Sequence, residues 1–183
     1  GHTGEISTMV LTPQVVDAVA PVPVLAAGGI GTGRQIAAAL ALGAEGVWTG
    51  SVWLMVKESD LQPAVVEKVM HATSRDTVRS RAMTGKPARQ LRTPWTDAWD
   101  SPESPGALPM PLQFMATAEA YSRIYRAAEA DPNSSAAQLA GTPIGQIAGM
   151  LHSVRPARDV IFDMVQEYAA AVDRLDALGM RTA

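Results

Sequence analysis

Two short glycine segments hold the residues of this chain that are best suited to chemistry. Gly28-Gly29 follows an apolar run that ends at Ala27, and Gly50-Ser51 follows a second apolar run at residues 46–49. Glycine has no Cβ, so main-chain N–H groups at these positions can approach an anion closely. Ser51 adds a hydroxyl donor. The pattern predicts a phosphate-binding site and favours a phosphorylated cofactor.

A histidine near the start of the chain is the candidate for proton transfer. His2 stands between Gly1 and Gly4, just before a predicted helix. A neutral imidazole, with an ordinary pKa of about 6.5, can take a proton from a weakly acidic carbon at neutral pH. We expect His2 to lie over the same face as the glycine segments; a structural or exposed role is the alternative. His71 and His152 lack a glycine context and are expected to be structural.

The elements around the glycine segments predict one βαβ unit. Strands are expected at about residues 22–26 and 46–49, joined by a helix that starts with Thr32 and Gln35 in capping-box spacing. In a right-handed βαβ unit the carboxyl ends of both strands emerge on the same side, so the two glycine segments should be neighbours. In α/β barrels a phosphate commonly sits between the loops after strands seven and eight. The two strands are therefore predicted to be the last two of a barrel.

Helices are expected on either side of this unit. Thr12 as N-cap and Pro13 at the first helical position predict a helix before the first strand. Apolar spacing predicts helices within residues 61–73 and 112–130, and Thr142 and Pro143 signal a short one. The last helix should begin after Pro156. Residues 93–111, rich in Pro, Ser, Asp and Trp, predict a long irregular excursion. Trp48 and Trp53 are expected to pack in the core.

The predicted fold class is α/β: the C-terminal part of a (β/α)8 TIM-type barrel with additional C-terminal helices. We expect residues 1–92 to be the C-terminal portion of the barrel, and residues 93–183 to be an irregular loop and helical extension that packs on it. The chain has 183 residues and starts with glycine rather than methionine, whereas a complete barrel typically needs about 250 residues. We therefore expect an N-terminal half that is absent from this sequence.

Composition excludes several other classes of protein. The net charge of −3 and the lack of a basic tract interleaved with aromatic residues argue against nucleic acid as a partner. No apolar run is long enough to span a membrane. The chain has no cysteine, and no other cluster of metal ligands stands out, so no metal site is expected. Residues 29–34 do not match the dinucleotide fingerprint G-x-G-x-x-G. A cytoplasmic location is the default expectation, and a homo-oligomer is left open.

The same residues resemble a known enzyme family. The match comprises residues 1–4, the Pro-Val-Leu-Ala-Ala-Gly-Gly-Ile segment at 23–30, residues 33–35 and 38–44, and Gly-Val-Trp-Thr-Gly-Ser at 46–51. In order and spacing these segments are similar to the nitronate monooxygenases, formerly called 2-nitropropane dioxygenases. The likeness extends to residues 85–92 and 145–154, whereas residues 93–140 show no clear match.

The resemblance implies an enzyme, an FMN-dependent α/β barrel that oxidises alkyl nitronates with O2 to a carbonyl compound and nitrite. His2 would be the catalytic histidine, taking the α-proton of a nitroalkane or holding the nitronate. Related members of the superfamily are flavin-dependent NAD(P)H:quinone or acyl-thioester oxidoreductases, and this alternative remains open. A third alternative is a non-catalytic piece that needs its N-terminal half. The cofactor contacts implied by the resemblance are Gly1, Ala27, Gly28, Gly29, Thr49, Gly50 and Ser51.

Overall fold

The structure, a computed structural model, describes residues 4–179 and shows a mixed α/β fold. The helices are α1 (Thr8–Val19), α2 (Gly33–Ala41), α3 (Pro63–His71), α4 (Pro94–Asp100), α5 (Leu112–Ala130), α6 (Ser135–Leu139) and α7 (Ala157–Ala177). The strands are β1 (Leu25–Ala27), β2 (Gly46–Trp48), β3 (Thr77–Ser80) and β4 (Ala88–Leu91), and 3₁₀ helices span Ser51–Met55 and Gln146–Met150.

The chain divides into two compact units. Residues 5–58 together with 154–179 form the first, which we call the glycine-loop unit because it contains both glycine segments. Residue 4 and residues 59–153 form the second, the hairpin unit, named after its antiparallel strands. The sequence analysis placed a boundary at residue 92, between the barrel and its extension. The two compact units do not test that boundary, which stays a prediction.

The glycine-loop unit contains the predicted βαβ unit. Strands β1 and β2 pair in parallel, and α2 connects them. The core behind this sheet consists of small side chains, Ala26, Ala39 and Ala44, together with Ile30. Small side chains let α2 lie close to the strands. The strands are shorter than predicted, since β1 begins three residues later and β2 ends one residue earlier than the sequence pattern indicated.

Helix α1 begins earlier than predicted. Ser7, not Thr12, is its N-cap, and Pro13 lies inside the helix. The additional first turn is fixed by Thr8, whose hydroxyl donates hydrogen bonds to main-chain oxygens at the end of β1. This tertiary contact outweighs the local preference of proline for the first helical position. The Thr12–Pro13 start was therefore wrong by about one turn.

The expected burial of Trp48 was also wrong. Its side chain is 72% exposed, and Leu25, on the neighbouring strand, is 54% exposed. Among the described residues, β1 and β2 are each other's only sheet partners. A parallel sheet normally has both faces covered, and this two-stranded sheet leaves large apolar side chains in contact with solvent.

A short bridge joins the two ends of the glycine-loop unit. The N–H of Lys57 donates to the carbonyl of Arg155 at 2.9 Å, and the N–H of Arg155 donates to the carbonyl of Met55 at 3.2 Å. Glu58 then accepts a hydrogen bond from the N–H of Ala157 at the start of α7. These contacts fix the entry of α7, which packs along α2 as the second layer of the unit.

The hairpin unit is built on β3 and β4, which the sequence analysis missed. They pair antiparallel, with Thr77 opposite Leu91 and Ser80 opposite Ala88. Its core includes Val65 and Val69 of α3, which are fully buried. Gln113 is also fully buried, and its amide is satisfied by the N–H of Leu108 and the carbonyl of Ala82.

Two further predictions in the hairpin unit need correction. Residues 94–100 are helical rather than irregular, because Thr93 forms a capping box with Thr96 and Pro94 occupies the first turn. Apart from the N-cap Thr93, only residues 101–111 of the predicted excursion lack a helix or strand. Residues 142–144 run beside β4 instead of starting a helix: the N–H of Leu91 donates to the carbonyl of Thr142. Helix α5 spans 112–130, as predicted.

None of the described helices is both long enough and apolar enough to cross a lipid bilayer.

Candidate functional site

The two predicted phosphate loops leave the sheet side by side. In the parallel ladder Ala27, the last residue of β1, is opposite Trp48, the last residue of β2. The residues that follow, Gly28 and Thr49, therefore emerge from the same edge of the sheet. Neighbouring strands lie about 4.8 Å apart, a gap that one phosphate spans when its oxygens accept N–H bonds of about 2.9 Å from each side.

The first loop depends on glycine for its conformation. Gly28 has φ of +106° and Gly29 has φ of +74°, values that side chains with a Cβ rarely adopt. An added Cβ at Gly29 would meet no atom within 4 Å, so the space beside Gly29 is open. The hydroxyl of Thr8 donates to the carbonyl of Gly28 at 2.7 Å and to that of Ala27 at 3.2 Å.

The second loop is fixed by a tryptophan. The indole N–H of Trp53 donates to the carbonyl of Thr49 at 3.1 Å and to its hydroxyl at 3.0 Å. Trp53 is half-buried and does not belong to the buried core that the sequence pattern predicted for it. Gly50 then precedes the 3₁₀ helix that begins at Ser51, and a Cβ on Gly50 would also meet no atom within 4 Å.

The amino terminus of α2 follows the first loop, and internal acceptors occupy its donors. The side chain of Gln35 accepts from the N–H groups of Gly31 and Thr32, and Thr32 in turn accepts from the N–H of Gln35. The predicted capping box is thus confirmed. A carboxylate oxygen of Glu167, on α7, accepts from the N–H of Gly33 at 2.8 Å. These four N–H groups are therefore occupied, and the dipole of α2 remains to favour an anion here.

The open donors are in the loops themselves. Among the described residues, the N–H groups of Gly29 and Gly50 donate no hydrogen bond. Each belongs to a glycine with open space beside it, and the two loops adjoin at the sheet edge. Two main-chain N–H donors at adjacent strand ends are a donor set of the kind that binds a phosphate oxygen. The residues present therefore fit a phosphorylated cofactor.

Some of the remaining predicted site residues flank the two loops, and others lie elsewhere. Ala27 ends β1 and Ser51 begins the 3₁₀ helix, so both flank the loops. Gly1 and His2 lie outside the described residues. His71 is exposed beside Glu67, and His152 contacts the carbonyls of Met70 and Gly149, which are structural surroundings.

Three residues that support the site escaped the sequence analysis. Thr8 and Trp53 hold the loop carbonyls, and Glu167 binds the start of α2 across 134 residues of sequence. The Trp53–Thr49 pair has a local signal, because four residues separate donor and acceptor. Thr8 and Glu167 have none, since their partners become neighbours only in the folded chain.

A concave region lies in the hairpin unit. This cleft of about 410 Å³ is charge-balanced, with two arginines and two aspartates on its wall. Arg92 donates to Asp97 at 2.8 Å, and the hydroxyl of Ser80 donates to Asp100 at 2.9 Å. Nearby, the N–H and hydroxyl of Thr73 lower the pKa of Asp76. The charged groups of the cleft are therefore largely paired, whereas the N–H groups of Gly29 and Gly50 are not. The cleft is lined by Arg75, Thr77, Val78, Arg92, Asp97 and Asp100.

An aromatic cluster stabilises the same unit. The rings of Trp95 and Tyr121 lie 5.0 Å apart, and those of Tyr121 and Tyr125 lie 6.2 Å apart. Burial raises the pKa of both tyrosines above the ordinary value. The hydroxyl of Tyr125 donates to the carbonyl of Gly141. The contacts join α4, α5 and the segment after α6, so their role is structural.

Comparison with known proteins agrees with the motif. The family model described as nitronate monooxygenase matches residues 1–167. A Mycobacterium tuberculosis protein with a provisional monooxygenase name is 58% identical over 181 residues, which are 99% of this chain and 48% of that protein. A 5-hydroxy-7a-methyl-1-oxo-octahydroindene-carboxyl-CoA dehydrogenase of Rhodococcus jostii is 34% identical over 211 residues, 98% of this chain and 58% of that enzyme.

A solved structure shows the same relationship. The nitroalkane oxidase of Streptomyces ansochromogenes superposes with a TM-score of 0.80 at 30% identity, over 93% of this chain and 46% of that one. The chain thus spans about half the length of the relatives it matches. With the family model covering most of the sequence and the loop motifs intact, the chain belongs to the nitronate monooxygenase family.

Proposed function

We propose that this chain supplies the phosphate-binding end of an FMN-dependent oxidoreductase. The observation that carries the proposal is the pair of open amides, Gly29 and Gly50, at adjacent ends of parallel strands. Ala27, Gly28, Thr49 and Ser51 complete the two loops around the phosphate. The oxidoreductase part of the proposal rests on membership of the family.

We propose further that β1 and β2 are the last two strands of a (β/α)8 barrel. Phosphate between the final two strand ends is the common arrangement in that fold. The large exposed side chains Leu25 and Trp48 support the proposal, because strands of a parallel sheet are ordinarily covered on both faces. The remaining strands of the whole protein would cover them.

The proposed reaction is oxidation of an alkyl nitronate by O2 to a carbonyl compound and nitrite. FMN, when bound, supplies the electron-transfer chemistry between substrate and O2. The chain's own residues bind and orient: the loop amides hold the phosphate, and His2 takes the α-proton of a neutral nitroalkane or holds the anionic nitronate. These roles follow the family resemblance and the residue types.

An acyl-thioester oxidoreductase is the second candidate. It is favoured by the 34% identity to a carboxyl-CoA dehydrogenase over nearly the whole chain. Both candidates use the same phosphate loops, so the loops do not discriminate between them. Nitrite release from a nitronate supports the first candidate, and reduction of the flavin by an acyl-CoA under anaerobic conditions supports the second.

The experiment begins with the visible spectrum of the purified whole protein. Flavin absorption is expected, and a colourless protein that cannot be reconstituted with FMN refutes the proposal. His2→Asn should abolish turnover of neutral nitroalkane, and unchanged turnover removes His2 from catalysis. Fast bleaching by NAD(P)H would point instead to the quinone reductases of the same superfamily.

Two glycine variants test the loop itself. Gly29→Ala places a Cβ at φ of +74° with no atom nearby, and Gly106→Ala does the same at φ of +80° in the hairpin unit. Both should lose about 1–2 kcal/mol of stability from the left-handed conformation. Only Gly29→Ala should weaken FMN binding, by about tenfold or more. Equal FMN affinity in the two variants contradicts the proposed loop.

A further inference from the structure

The N–H groups of Gly29 and Gly50, which face the proposed phosphate, share a feature that the absence of a Cβ does not explain. A peptide group is planar and trans, so the N–H of one residue points opposite to the carbonyl of the residue before it. The N–H of Gly29 shares its peptide group with the carbonyl of Gly28, and the N–H of Gly50 shares its peptide group with the carbonyl of Thr49. Each of these carbonyls accepts a hydrogen bond from a side chain of the glycine-loop unit.

Thr8 holds the first peptide group. Its hydroxyl oxygen lies 2.7 Å from the carbonyl oxygen of Gly28, the shorter of its two contacts. Gly28 and Gly29 both have positive φ, and glycine peptides rotate at low cost. A donor on the carbonyl removes that freedom and leaves the N–H of Gly29 aimed away from α1.

Trp53 holds the second peptide group in the same way. Its indole N–H lies 3.1 Å from the carbonyl oxygen of Thr49 and 3.0 Å from the Thr49 hydroxyl. The ring is anchored one turn into the 3₁₀ helix, since the N–H of Trp53 also donates to the carbonyl of Gly50 at 3.0 Å. The carbonyl of Thr49 is therefore fixed, and with it the direction of the Gly50 N–H.

We propose that Thr8 and Trp53 are positioning residues for the cofactor phosphate. They act through the peptide groups 28–29 and 49–50: each holds a carbonyl and thereby aims the N–H on the opposite side of that peptide at the phosphate. A hydrogen bond to a carbonyl also polarises the amide and strengthens its N–H as a donor. The inference rests on the phosphate site proposed above and adds to it two residues that do not themselves touch the ligand.

The competing explanation is that these contacts only fasten α1 and the 3₁₀ helix to the sheet. Loss of a purely structural contact would weaken binding of every ligand through loss of folded protein. Loss of amide orientation would weaken only ligands that carry a phosphate. FMN and riboflavin share the isoalloxazine ring and the ribityl chain and differ only in the phosphate, so the ratio of their dissociation constants separates the two explanations.

The experiment measures both dissociation constants by flavin fluorescence on the whole protein, freed of cofactor. Thr8→Val removes the hydroxyl at constant shape, and Trp53→Phe removes the indole N–H. Each should raise the FMN dissociation constant by about three- to tenfold, the range expected for one hydrogen bond, with riboflavin changed less than about twofold. Thr8→Ser restores the donor and should restore FMN affinity. Thr12→Val makes the same substitution one turn later in α1 and should leave the ratio unchanged.

The possible outcomes distinguish failure of the phosphate site from failure of the positioning role. If the unaltered protein binds FMN no better than riboflavin, the phosphate site and this inference fall together. If it prefers FMN and Thr8→Val and Trp53→Phe keep the same preference, the phosphate site stands and the positioning role is refuted. Each ratio compares two ligands on one preparation, so a lower yield of folded variant does not obscure the result.

Discussion

Gly33→Ala should separate α2 from α7 and destabilise the unit that carries the glycine loops. Gly33 is the first residue of α2, and its missing side chain is the reason that α7 can lie against it. A Cβ at this position would lie 2.1 Å from the carbonyl oxygen of Met164 and 2.2 Å from the nitrogen of Tyr168. Both are main-chain atoms of a helix, which no side-chain rotation can move aside.

The size of the effect follows from that geometry. Favourable contact between such atoms needs about 3.5 Å, so α7 must move by more than about 1 Å. Overpacking of this kind costs about 1–3 kcal/mol, and rigid backbone places Gly33 near the upper end. The displaced helix also weakens the hydrogen bond between the Gly33 N–H and Glu167, worth about 1 kcal/mol. Alanine returns at most about 1 kcal/mol of helix propensity. The net loss is about 2–3 kcal/mol.

Thermal unfolding of the whole protein measures this loss. A whole protein of the length of its relative is about twice as long as this chain, and an unfolding entropy of about 2.1 cal/mol/K per residue then gives about 1–1.5 °C per kcal/mol, so the melting temperature should fall by about 2–5 °C. Ala38→Gly, in the interior of α2, calibrates helix propensity alone and should lose about 1 kcal/mol. Glu167→Gln keeps the shape of the side chain and removes its charge, and should lose less than Gly33→Ala. A Gly33→Ala protein that melts at or above the temperature of the unaltered protein refutes the close packing of the two helices.

Three further predictions concern the hairpin unit. Lys68 donates from its ammonium to three carbonyls at the end of α6, at 2.6–2.8 Å, so Lys68→Met should lose about 1–3 kcal/mol in chemical denaturation. Gly85→Ala combines φ of +83° with a Cβ 2.1 Å from the carbonyl of Leu108, and should lose more than about 2 kcal/mol in the same assay. Hydrogen bonds from Thr73 lower the folded-state pKa of Asp76, so its stabilising contribution is present above the unfolded pKa of about 3.9 and is lost as pH falls through the folded value. Melting curves should show unaltered protein above Asp76→Asn at pH 6, with the gap closing toward pH 2.

The sequence predicts the elements whose signals are local. The capping box of Thr32 and Gln35 starts α2 as expected. Helix α5 also occupies its predicted residues. In each case the decisive residues lie within four positions of each other, so their spacing alone carries the information.

Elements that depend on distant contacts were predicted poorly. The hairpin of β3 and β4 was missed because each strand has only four residues, with one arginine among polar and apolar side chains, and shows little apolar periodicity. The start of α1 was misplaced because Thr8 is fixed by a residue twenty positions later. Helix α4 was missed for a different reason: its Thr93-Pro94 start is a local signal that the surrounding Pro, Ser and Asp residues obscured.

The candidate site combines both kinds of information. Glycine at positions 28, 29 and 50 is visible in the sequence because it permits conformations and approaches that other residues forbid. This conformational freedom does not determine the orientation of the peptide group, because a glycine peptide can rotate to present either its N–H or its carbonyl to a ligand. In this fold the direction is determined by Thr8 and Trp53, which occupy the carbonyl side of each peptide. Glycine variants therefore test whether the loops can form, and variants of Thr8 and Trp53 test whether the formed loops face an anion.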